Sequence, residues 1–458
     1  MSEPAFPDSP ALRHLAAAEA AAARPPGLAA EVQALDIGSA AVIGAGTMGI
    51  GIAMCYATSG IPVLLNDANE SALARAMATI RANYEGSVRK GRLTAAQSAR
   101  ATSLITPVTT WDGFNRVDLV VEAAFEDIDI KRQIFSALGE VTSRGCVLAS
   151  NTSTLDIDAL AEASRRPEQV VGHHFFSPAH VMKLLEIVRG RRTSDTVIAT
   201  SLAVGRRIGK IGVVVGNCFG FVANRMLAYY MREAYLLLEE GAPVEQIDRV
   251  LVEFGMPVGP FAMQDIAGID VGTRIRQHLA KLGKTRADGP QSEVPDRLFD
   301  LGRYGQKTSA GWYRYEQGSR TPHPDPLIEE IAAAAAASRG IERRRSIPDE
   351  EIVARITTAL ANEGARVLDE GFAARPGDID VIYCNGFGFP RHRGGPMFYA
   401  DTIGLDTVLS RLREYQRRFG DYWRAAPLLE RLVSSGRSFY GEGRDGGPSP
   451  QTPAAATS

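Results

Sequence analysis

Three of the seven histidines in the 458-residue sequence lie within one short segment, residues 170–188. These are His173, His174 and His180, and Glu186 follows in the same segment. Apolar residues flank these side chains, and burial of this kind can tune a proton-transfer group. An imidazole accepts a proton near neutral pH, and a carboxylate on its second ring nitrogen fixes the tautomer and stabilises the protonated ring. The segment therefore predicts a histidine general base with Glu186 as its partner.

The residues alone favour His174 only slightly over its neighbours. His173 and His174 are adjacent, so in an extended strand they point to opposite faces and only one can meet a cofactor. His180 follows a predicted turn at residues 177–178 and could be a surface group. A chain reversal at this turn would bring Glu186 back beside His174. Otherwise Glu186 is an exposed strand residue, and any of the histidines could be structural.

A strand, a glycine-rich turn and a helix follow one another near the start of the chain. A short buried strand spans 40–43, the sequence Gly44-Ala-Gly46-Thr-Met-Gly49 follows, and an apolar helix spans 50–58. The first glycine permits the tight turn, the second lets a pyrophosphate approach the backbone, and the third lets helix and strand pack closely. This order predicts a dinucleotide site with the pyrophosphate at the N-terminus of the helix.

Asp67 ends the second predicted strand, 18 residues after Gly49. A carboxylate at this position binds the hydroxyls of the adenosine ribose and repels a 2′-phosphate. The sequence therefore favours NAD over NADP. The alternative is that Asp67 is a helix N-cap in a fold without a cofactor.

Further predicted strands deliver polar side chains at their carboxyl ends, where ligands bind in an open parallel sheet. Glu126, Ser153 and His174 all fall at such ends. A last strand near 210–215 precedes a helix that contains Asn224. Hydroxyl and amide donors such as Ser153 and Asn224 are suited to holding substrate oxygens.

The C-terminal half repeats a set of landmarks in the same order, which predicts two copies of one small helical domain. The offset is 130 residues at the first landmark and 136 at the last. The landmarks Glu240-Gly241, Asp248 and Asp270 recur as Glu370-Gly371, Asp380 and Asp406.

The predicted fold is an α/β Rossmann-type domain followed by two tandem all-α helical domains. We expect an N-terminal linker helix in 1–37, the nucleotide-binding domain in 38–216, helical domains in 217–325 and 326–441, and a disordered tail in 442–458. The Ala-rich linker helix is either a frayed tail or a helix that docks on a later domain.

The composition excludes several classes of protein. The net charge of −2 gives no indication of nucleic acid or anionic membrane as a partner. The four cysteines form no CxxC pair, so we expect no metal site and a reducing compartment. No apolar run approaches the roughly 20 residues that span a bilayer, and the N-terminus lacks the basic start of a signal peptide. These features predict a cytoplasmic protein.

Together the motifs resemble the L-3-hydroxyacyl-CoA dehydrogenase family, and in particular the dehydrogenase portion of the peroxisomal-type bifunctional β-oxidation enzymes. The residues that carry the resemblance are Gly44-Ala-Gly-Thr-Met-Gly49, Val121-Glu-Ala-Ala-Phe-Glu126-Asp127, Ser150-Asn-Thr-Ser153, His174-Phe-Phe-Ser-Pro-Ala-His-Val-Met-Lys-Leu-Leu-Glu186, Gly216-Asn-Cys-Phe-Gly-Phe-Val-Ala-Asn224-Arg225, Gly305-Gln-Lys-Thr308 and Gly388-Phe-Pro-Arg-His-Arg-Gly-Gly-Pro396.

The resemblance implies an NAD-dependent oxidation of (3S)-3-hydroxyacyl-CoA to 3-oxoacyl-CoA. It implies that His174 is the base, that Glu186 is its partner, and that Ser153 and Asn224 contact the acyl-CoA substrate. The implied cofactor site consists of Gly44, Gly46, Thr47, Met48, Gly49, Asp67, Glu126, Lys131 and Asn151.

The same resemblance gives expectations about activity and assembly. The bifunctional enzymes carry an enoyl-CoA hydratase domain before the linker helix, where this sequence has only residues 1–37, so we expect no hydratase activity. Single-copy members of the family dimerise through their helical domain. A second copy could cover that surface internally, so we expect a monomer, functionally coupled to a separate enoyl-CoA hydratase and a thiolase.

Two other functions stay open. One is a β-hydroxyacid dehydrogenase acting on a free acid, although such enzymes usually rely on a catalytic lysine rather than a His–Glu pair. The other is a non-catalytic NAD-binding protein, like the lens crystallin related to this family.

Overall fold

A computed structural model of the chain describes residues 9–281, 283 and 287–441. The described part begins with one helix, continues as an eight-stranded sheet with helices on both faces, and ends in two groups of helices. The strands are β1 (Ala40–Ile43), β2 (Val63–Asn66), β3 (Ile105–Val108), β4 (Leu119–Glu122), β5 (Val147–Ser150), β6 (Val170–Phe175), β7 (Leu184–Arg189) and β8 (Ile211–Gly216).

The sheet has the order β3-β2-β1-β4-β5-β6-β7-β8. Every pair from β3 to β6 is parallel, whereas β7 pairs with β6 in the antiparallel direction and β8 runs parallel to β7. Alternate residues of the central strands enter two hydrophobic cores, one on each face, because successive side chains of a strand point to opposite sides. The predicted Rossmann-type sheet is confirmed.

Strand β3 was not predicted from the sequence. It lies at the edge of the sheet, where only Ile105 is fully buried and where Pro107 is tolerated because one side of the strand needs no partner. Such a strand lacks the continuous apolar run that identifies the central strands.

Helices cover the sheet and precede it. They are α1 (Pro10–Ala22), α2 (Thr47–Thr58), α3 (Glu70–Arg89), α4 (Ala95–Ser103), α5 (Ile128–Val141), α6 (Ile157–Ser164) and α7 (Asp195–Arg207). The first helical group contains α8 (Phe221–Glu239), α9 (Val244–Phe254), α10 (Pro260–Ala267), α11 (Ile269–Lys281), α12 (Val294–Asp300) and α13 (Pro326–Ser338). The second contains α14 (Asp349–Asp369), α15 (Pro376–Gly386), α16 (Pro396–Ile403), α17 (Leu405–Phe419) and α18 (Pro427–Ser434).

The first four helices of the two groups correspond in order, and buried aspartates occupy the same places in both. Asp248 accepts hydrogen bonds from the first backbone N–H groups of α10, and Asp380 does the same for α16. A tyrosine hydroxyl also donates to each aspartate, Tyr313 to Asp248 and Tyr440 to Asp380. The helical part is therefore two copies of one local structure, as the repeat predicts.

The long helices α8 and α14 pack together through reciprocal ion pairs. Arg225 of α8 binds Glu363 and Glu370, with the nearest N–O distance 2.6 Å in each case. The equivalent arginine of α14, Arg355, binds the equivalent carboxylates of the first copy, Glu233 at 2.8 Å and Glu240 at 2.7 Å. Arg355 is completely buried. This reciprocity is the mark of a two-fold related interface, here within a single chain.

The N-terminal helix docks on the second helical copy, which settles the two alternatives for it. Leu15 is completely buried. His14 Nε2 lies 2.9 Å from Asp380 Oδ2, and Glu19 pairs with Arg391 at 3.0 Å. The helix packs along α15, where Gly377 allows close approach because an added Cβ would lie 3.2 Å from Ala18 Cβ.

Some predictions stay untested by the fold. Residues 1–8 and the expected disordered tail in 442–458 lie outside the described residues. The predicted domain boundaries stay predictions, although β8 ends at Gly216 and α8 begins at Phe221. Within the described ranges, no helix has both the length and the apolar character to cross a bilayer.

Candidate active site between the sheet and helix α8

His174 and Glu186 face each other across strands β6 and β7. The chain reverses after β6, and the antiparallel register pairs the two residues directly. His174 Nδ1 lies 2.7 Å from Glu186 Oε2, and both residues are buried. Because an ionised carboxylate can only accept, Nδ1–H donates and Nε2 carries the lone pair. The imidazole can therefore act as a base through Nε2.

The second oxygen of Glu186 is held by the helical part of the chain. The backbone N–H of Ala223, in the first turn of α8, donates to Glu186 Oε1 at 2.9 Å. A helix N-terminus stabilises a negative charge. The chain turns sharply where it enters α8. Gly220 has φ of 74° and Phe221 has φ of 50°, which is uncommon for a bulky residue. Sequence reasoning missed this contact, since any residue can supply a backbone N–H.

The other two histidines do not join this pair. His173 points to the opposite face of the sheet, where its Nε2 lies 2.8 Å from Ser201 Oγ. Complete burial lowers the pKa of His173 to about 4, so it is neutral. His180 lies exposed in the connecting loop. Although its surface is open to solvent, surrounding protein partly desolvates the ring, and this desolvation and the nearby Lys210 ammonium lower the pKa of His180.

The glycine-rich turn has the geometry of a dinucleotide site. Gly44 has φ of 100°, and a Cβ on Gly49 would lie 1.8 Å from the Gly44 carbonyl oxygen. A Cβ on Gly46 would have no neighbour within 4 Å, so the space in front of this turn is open. Thr47 and Met48, between the second and third glycines, form the first turn of α2. These positions suit a pyrophosphate at the helix N-terminus.

Asp67 lies beside the glycine-rich turn at the end of β2. Its Oδ2 accepts the Ala45 N–H at 2.9 Å, and its Oδ1 accepts the Asn69 N–H at 2.9 Å. The N-cap of α3 is Asn69, whose side chain accepts from residues 71 and 72. The alternative role of Asp67 as a helix N-cap is therefore wrong.

Glu126 gathers donors from the loop after β5. Its Oε1 accepts from Thr152 Oγ1 at 2.7 Å and from Ser153 at two atoms, N at 2.9 Å and Oγ at 3.3 Å. Burial acts to raise the pKa of Glu126, but the Lys131 ammonium and these hydrogen bonds outweigh it, so the pKa is lowered. Glu126 is therefore an anion that orients Ser153.

Lys131 lies under the site and not at its surface. Its Nζ lies 2.5 Å from Glu122 Oε1 and 3.5 Å from Glu126 Oε2, and the side chain is 1% exposed. Glu122 also accepts from Ser150 Oγ at 2.6 Å. The contacts of Glu122 were not predicted from the sequence, because only the sheet brings β4, β5 and α5 together.

Two amide side chains complete the arrangement. Asn151 Oδ1 accepts the N–H of Phe175 at 2.9 Å, which links β5 to the end of β6. Asn224 is half-buried in the first turn of α8, next to Ala223. Its side-chain amide forms no hydrogen bond with the described residues, so it is available to a ligand.

The described residues show no arrangement for a metal. No group of three or more His, Cys, Asp or Glu side chains in these ranges could hold an ion. The four cysteines are free, and three of them are buried.

Two family models match the chain. The 3-hydroxyacyl-CoA dehydrogenase NAD binding domain matches residues 39–218. The 3-hydroxyacyl-CoA dehydrogenase C-terminal domain matches twice, at residues 220–315 and 352–445. The chain belongs to the 3-hydroxyacyl-CoA dehydrogenase family. Its resident cofactor is NAD, as the glycine-rich turn and Asp67 predict.

Relatives in this family include bifunctional enzymes. The peroxisomal bifunctional enzyme of Danio rerio is 45% identical over 413 residues, which cover 88% of this chain. The human protein of the same name is 43% identical over 419 residues. In both cases this chain spans 57% of the relative's length.

Solved structures of family members have the same fold. The 3-hydroxybutyryl-CoA dehydrogenase of Escherichia coli superposes with a TM-score of 0.76 at 28% identity, covering 88% of this chain and all of that one. The dehydrogenase part of multifunctional enzyme 1 from C. elegans gives a TM-score of 0.67 at 29% identity, covering 92% of this chain and 97% of that one.

Proposed function

We propose that the chain oxidises (3S)-3-hydroxyacyl-CoA to 3-oxoacyl-CoA with NAD, using His174 and Glu186 as its catalytic pair. The observation that supports this most directly is the 2.7 Å contact between His174 Nδ1 and Glu186 Oε2. The pair lies near the carboxyl end of β6, on the same side of the sheet as the glycine-rich turn that follows β1. Bound NAD supplies the hydride acceptor.

The chain's own residues account for the movement of the proton. Glu186 holds Nδ1–H, so the Nε2 lone pair faces the substrate and removes the C3 hydroxyl proton as the hydride leaves C3. The imidazolium that forms is stabilised by Glu186, whose other oxygen is held by the Ala223 N–H at 2.9 Å. The product ketone needs no further proton transfer.

Ser153 and Asn224 are proposed to hold the substrate oxygens. Glu126 fixes Ser153 through its backbone N–H at 2.9 Å, while the Ser153 Oγ contact at 3.3 Å is long enough to be exchanged for a substrate oxygen. Asn224 has an uncommitted amide. Donors fixed before the substrate arrives stabilise developing charge at little reorganisation cost.

The physiological setting follows the same proposal. The reaction consumes the hydration product of an enoyl-CoA and supplies the substrate of a thiolytic cleavage, so coupling to a hydratase and a thiolase is proposed. The relatives are named as peroxisomal or glyoxysomal proteins, and these names do not support the cytoplasmic location expected from the sequence. That location stays a prediction.

The test is NADH consumption, followed by absorbance, with acetoacetyl-CoA as the substrate and acetoacetate as the control. Consumption with the thioester alone is expected. Consumption with the free acid would favour a β-hydroxyacid dehydrogenase, and none with either would favour a non-catalytic NAD-binding protein. His174→Ala should lower kcat by about 10²–10⁴-fold, the usual contribution of a general base. A variant that keeps most of the rate would overturn the mechanism.

A further inference from the structure

The loop of residues 176–183, which joins β6 to β7, is tied to the rest of the domain through its carbonyl oxygens. The Ala179 oxygen accepts hydrogen bonds from Lys210 Nζ at 2.5 Å and from Cys55 Sγ at 3.3 Å. Lys210 Nζ also donates to the Met182 carbonyl oxygen at 2.5 Å. Lys210 directly precedes β8, and Cys55 lies in α2. The loop is therefore held both by the residue before β8 and by α2.

Lys210 is an unusual residue for a purely structural position. Its side chain is buried, at 6% exposure, and no carboxylate of the described residues lies within ion-pair distance of it. Burying an unpaired ammonium opposes folding. Methionine has a similar shape and would fill the space without that cost. What only the lysine supplies is its two hydrogen bonds to the loop.

Helix α2 closes on the same loop from the opposite side. A Cβ on Gly51 would lie 3.0 Å from Ala179 Cβ and 3.2 Å from Ala179 N, closer than most side-chain contacts. Because α2 begins at Thr47, within the glycine-rich segment, its position determines where the pyrophosphate binds. The Gly51–Ala179 contact therefore sets the separation between the cofactor helix and the β6–β7 hairpin.

We propose that Lys210 is a positioning residue that holds the β6–β7 hairpin against α2 and so fixes His174 relative to the nicotinamide. The hairpin carries both members of the catalytic pair, one on each strand. Releasing its loop moves both together without breaking the contact between them. Since displacements of about 1 Å can cost 10²-fold in rate, a small shift suffices. The inference rests on the proposed function, because the rate it affects is that of the proposed reaction.

The central test replaces Lys210 by Met and compares it with Arg206→Met. Arg206 is an exposed cation of α7 only four residues away, so its loss removes the same charge nearby. For Lys210→Met we expect kcat with acetoacetyl-CoA and NADH to fall about tenfold to a hundredfold, with the KM for NADH and the thermal midpoint close to wild type. The primary isotope effect with deuterated NADH should rise as hydride transfer becomes slower. Arg206→Met should behave as wild type.

A second variant approaches the same contact from α2. Gly51→Ala adds a methyl group against Ala179 in a helix that alanine favours. It should also lower kcat while the helix content is retained. Wild-type kcat in both variants would overturn the proposal. The proposal would also be overturned if the rate of Lys210→Met fell only as much as the fraction of folded protein.

A readout that does not depend on activity separates this inference from the proposed function. If wild type consumes no NADH, the proposed function fails, and hydrogen exchange still tests the tether. The amides of Val181 and Met182 bond to the Pro178 carbonyl oxygen at 2.9 and 3.0 Å. Lys210→Met should speed their exchange, because the loop opens more often. Unchanged exchange would overturn the role of Lys210.

Discussion

His174 and Glu186 are direct partners in the antiparallel register of β6 and β7, with 2.7 Å between Nδ1 and Oε2. The ladder of two regular strands therefore sets their spacing, and no flexible loop lies between either residue and the sheet. The other Glu186 oxygen is bound by the first turn of α8. The contacts of the His174–Glu186 pair are thus complete only when the helical part of the chain packs on the sheet.

Glu186→Gln should lower kcat far more than it lowers NADH binding. The amide keeps the shape of the side chain but cannot stabilise an imidazolium, so we expect a fall of about 10²–10⁴-fold. Steady-state kinetics with acetoacetyl-CoA measures kcat, and NADH fluorescence titration measures binding. His323→Gln, an exposed histidine of the first helical copy, is the control. A rate within a few-fold of wild type would contradict the proposed role of Glu186.

Asp67→Asn should weaken the preference for NADH over NADPH. The substitution removes the negative charge that repels a 2′-phosphate, and it weakens a hydrogen bond to the ribose by about 1.5–3 kcal/mol, or roughly tenfold to a hundredfold in affinity. The ratio of kcat/KM for the two coenzymes is the measurement. Glu70→Gln, an exposed charge at the start of α3, is the matched control. An unchanged ratio would show that Asp67 does not select the coenzyme.

Arg355→Met should destabilise the helical part by about 3 kcal/mol. The guanidinium is completely buried between Glu233 and Glu240, and its removal leaves the Glu233 carboxylate buried with only Arg232 near it. Urea unfolding followed by tryptophan fluorescence measures the change. Arg297→Met, which breaks an exposed pair with Glu293, should cost less than about 1 kcal/mol. Equal effects of the two variants would show that the reciprocal ion pairs contribute no more than surface ones.

The reciprocal packing of α8 and α14 supports the proposal that the protein is a monomer. The ion pairs between α8 and α14 join the two copies of one chain, and we propose that this contact takes the place of one between two subunits. Light scattering across a wide concentration range should give a mass of 49.2 kDa throughout. A dimer whose mass does not change with concentration would refute this.

His173 should make the protein less stable in mild acid. Its pKa is about 4 in the folded protein and 6.5 when unfolded, so between these values the unfolded chain binds more protons and the free energy of unfolding falls as pH is lowered. The full effect is about 3 kcal/mol. His173→Gln removes this dependence, so the stability difference between wild type and variant should shrink by that amount from pH 7 to pH 4.

The difference between wild type and His173→Gln is the useful quantity, because burial also shifts the pKa of several carboxylates. Burial raises the pKa of Asp248 to about 6, for example, which acts in the opposite direction to His173. Denaturant titrations at intervals of pH would resolve the difference. His323→Gln should keep the wild-type pH dependence. A difference that is constant with pH would mean that folding does not change the pKa of His173.

Local patterns in the sequence predicted most of the elements that carry the site. The spacing of its glycines revealed the glycine-rich turn. Apolar runs revealed the central strands, and with them Asp67 and the other residues at the strand ends. Both signals depend only on residues that are neighbours in the chain. The duplication was found because both copies kept the same landmarks. Strand β3 escaped because an edge strand carries little apolar signal.

By itself, the sequence determined which side chains could do the chemistry and the order of the elements that carry them. Only the tertiary structure decided that His174, and not His173, meets Glu186, because that depends on strand register. It also decided that Ala223 holds Glu186 and that Lys210 holds the hairpin. These contacts join residues that are far apart in the chain. They also use backbone N–H groups and carbonyls, which almost every residue has, so no residue type marks them in the sequence. Which of them meet is settled by packing alone.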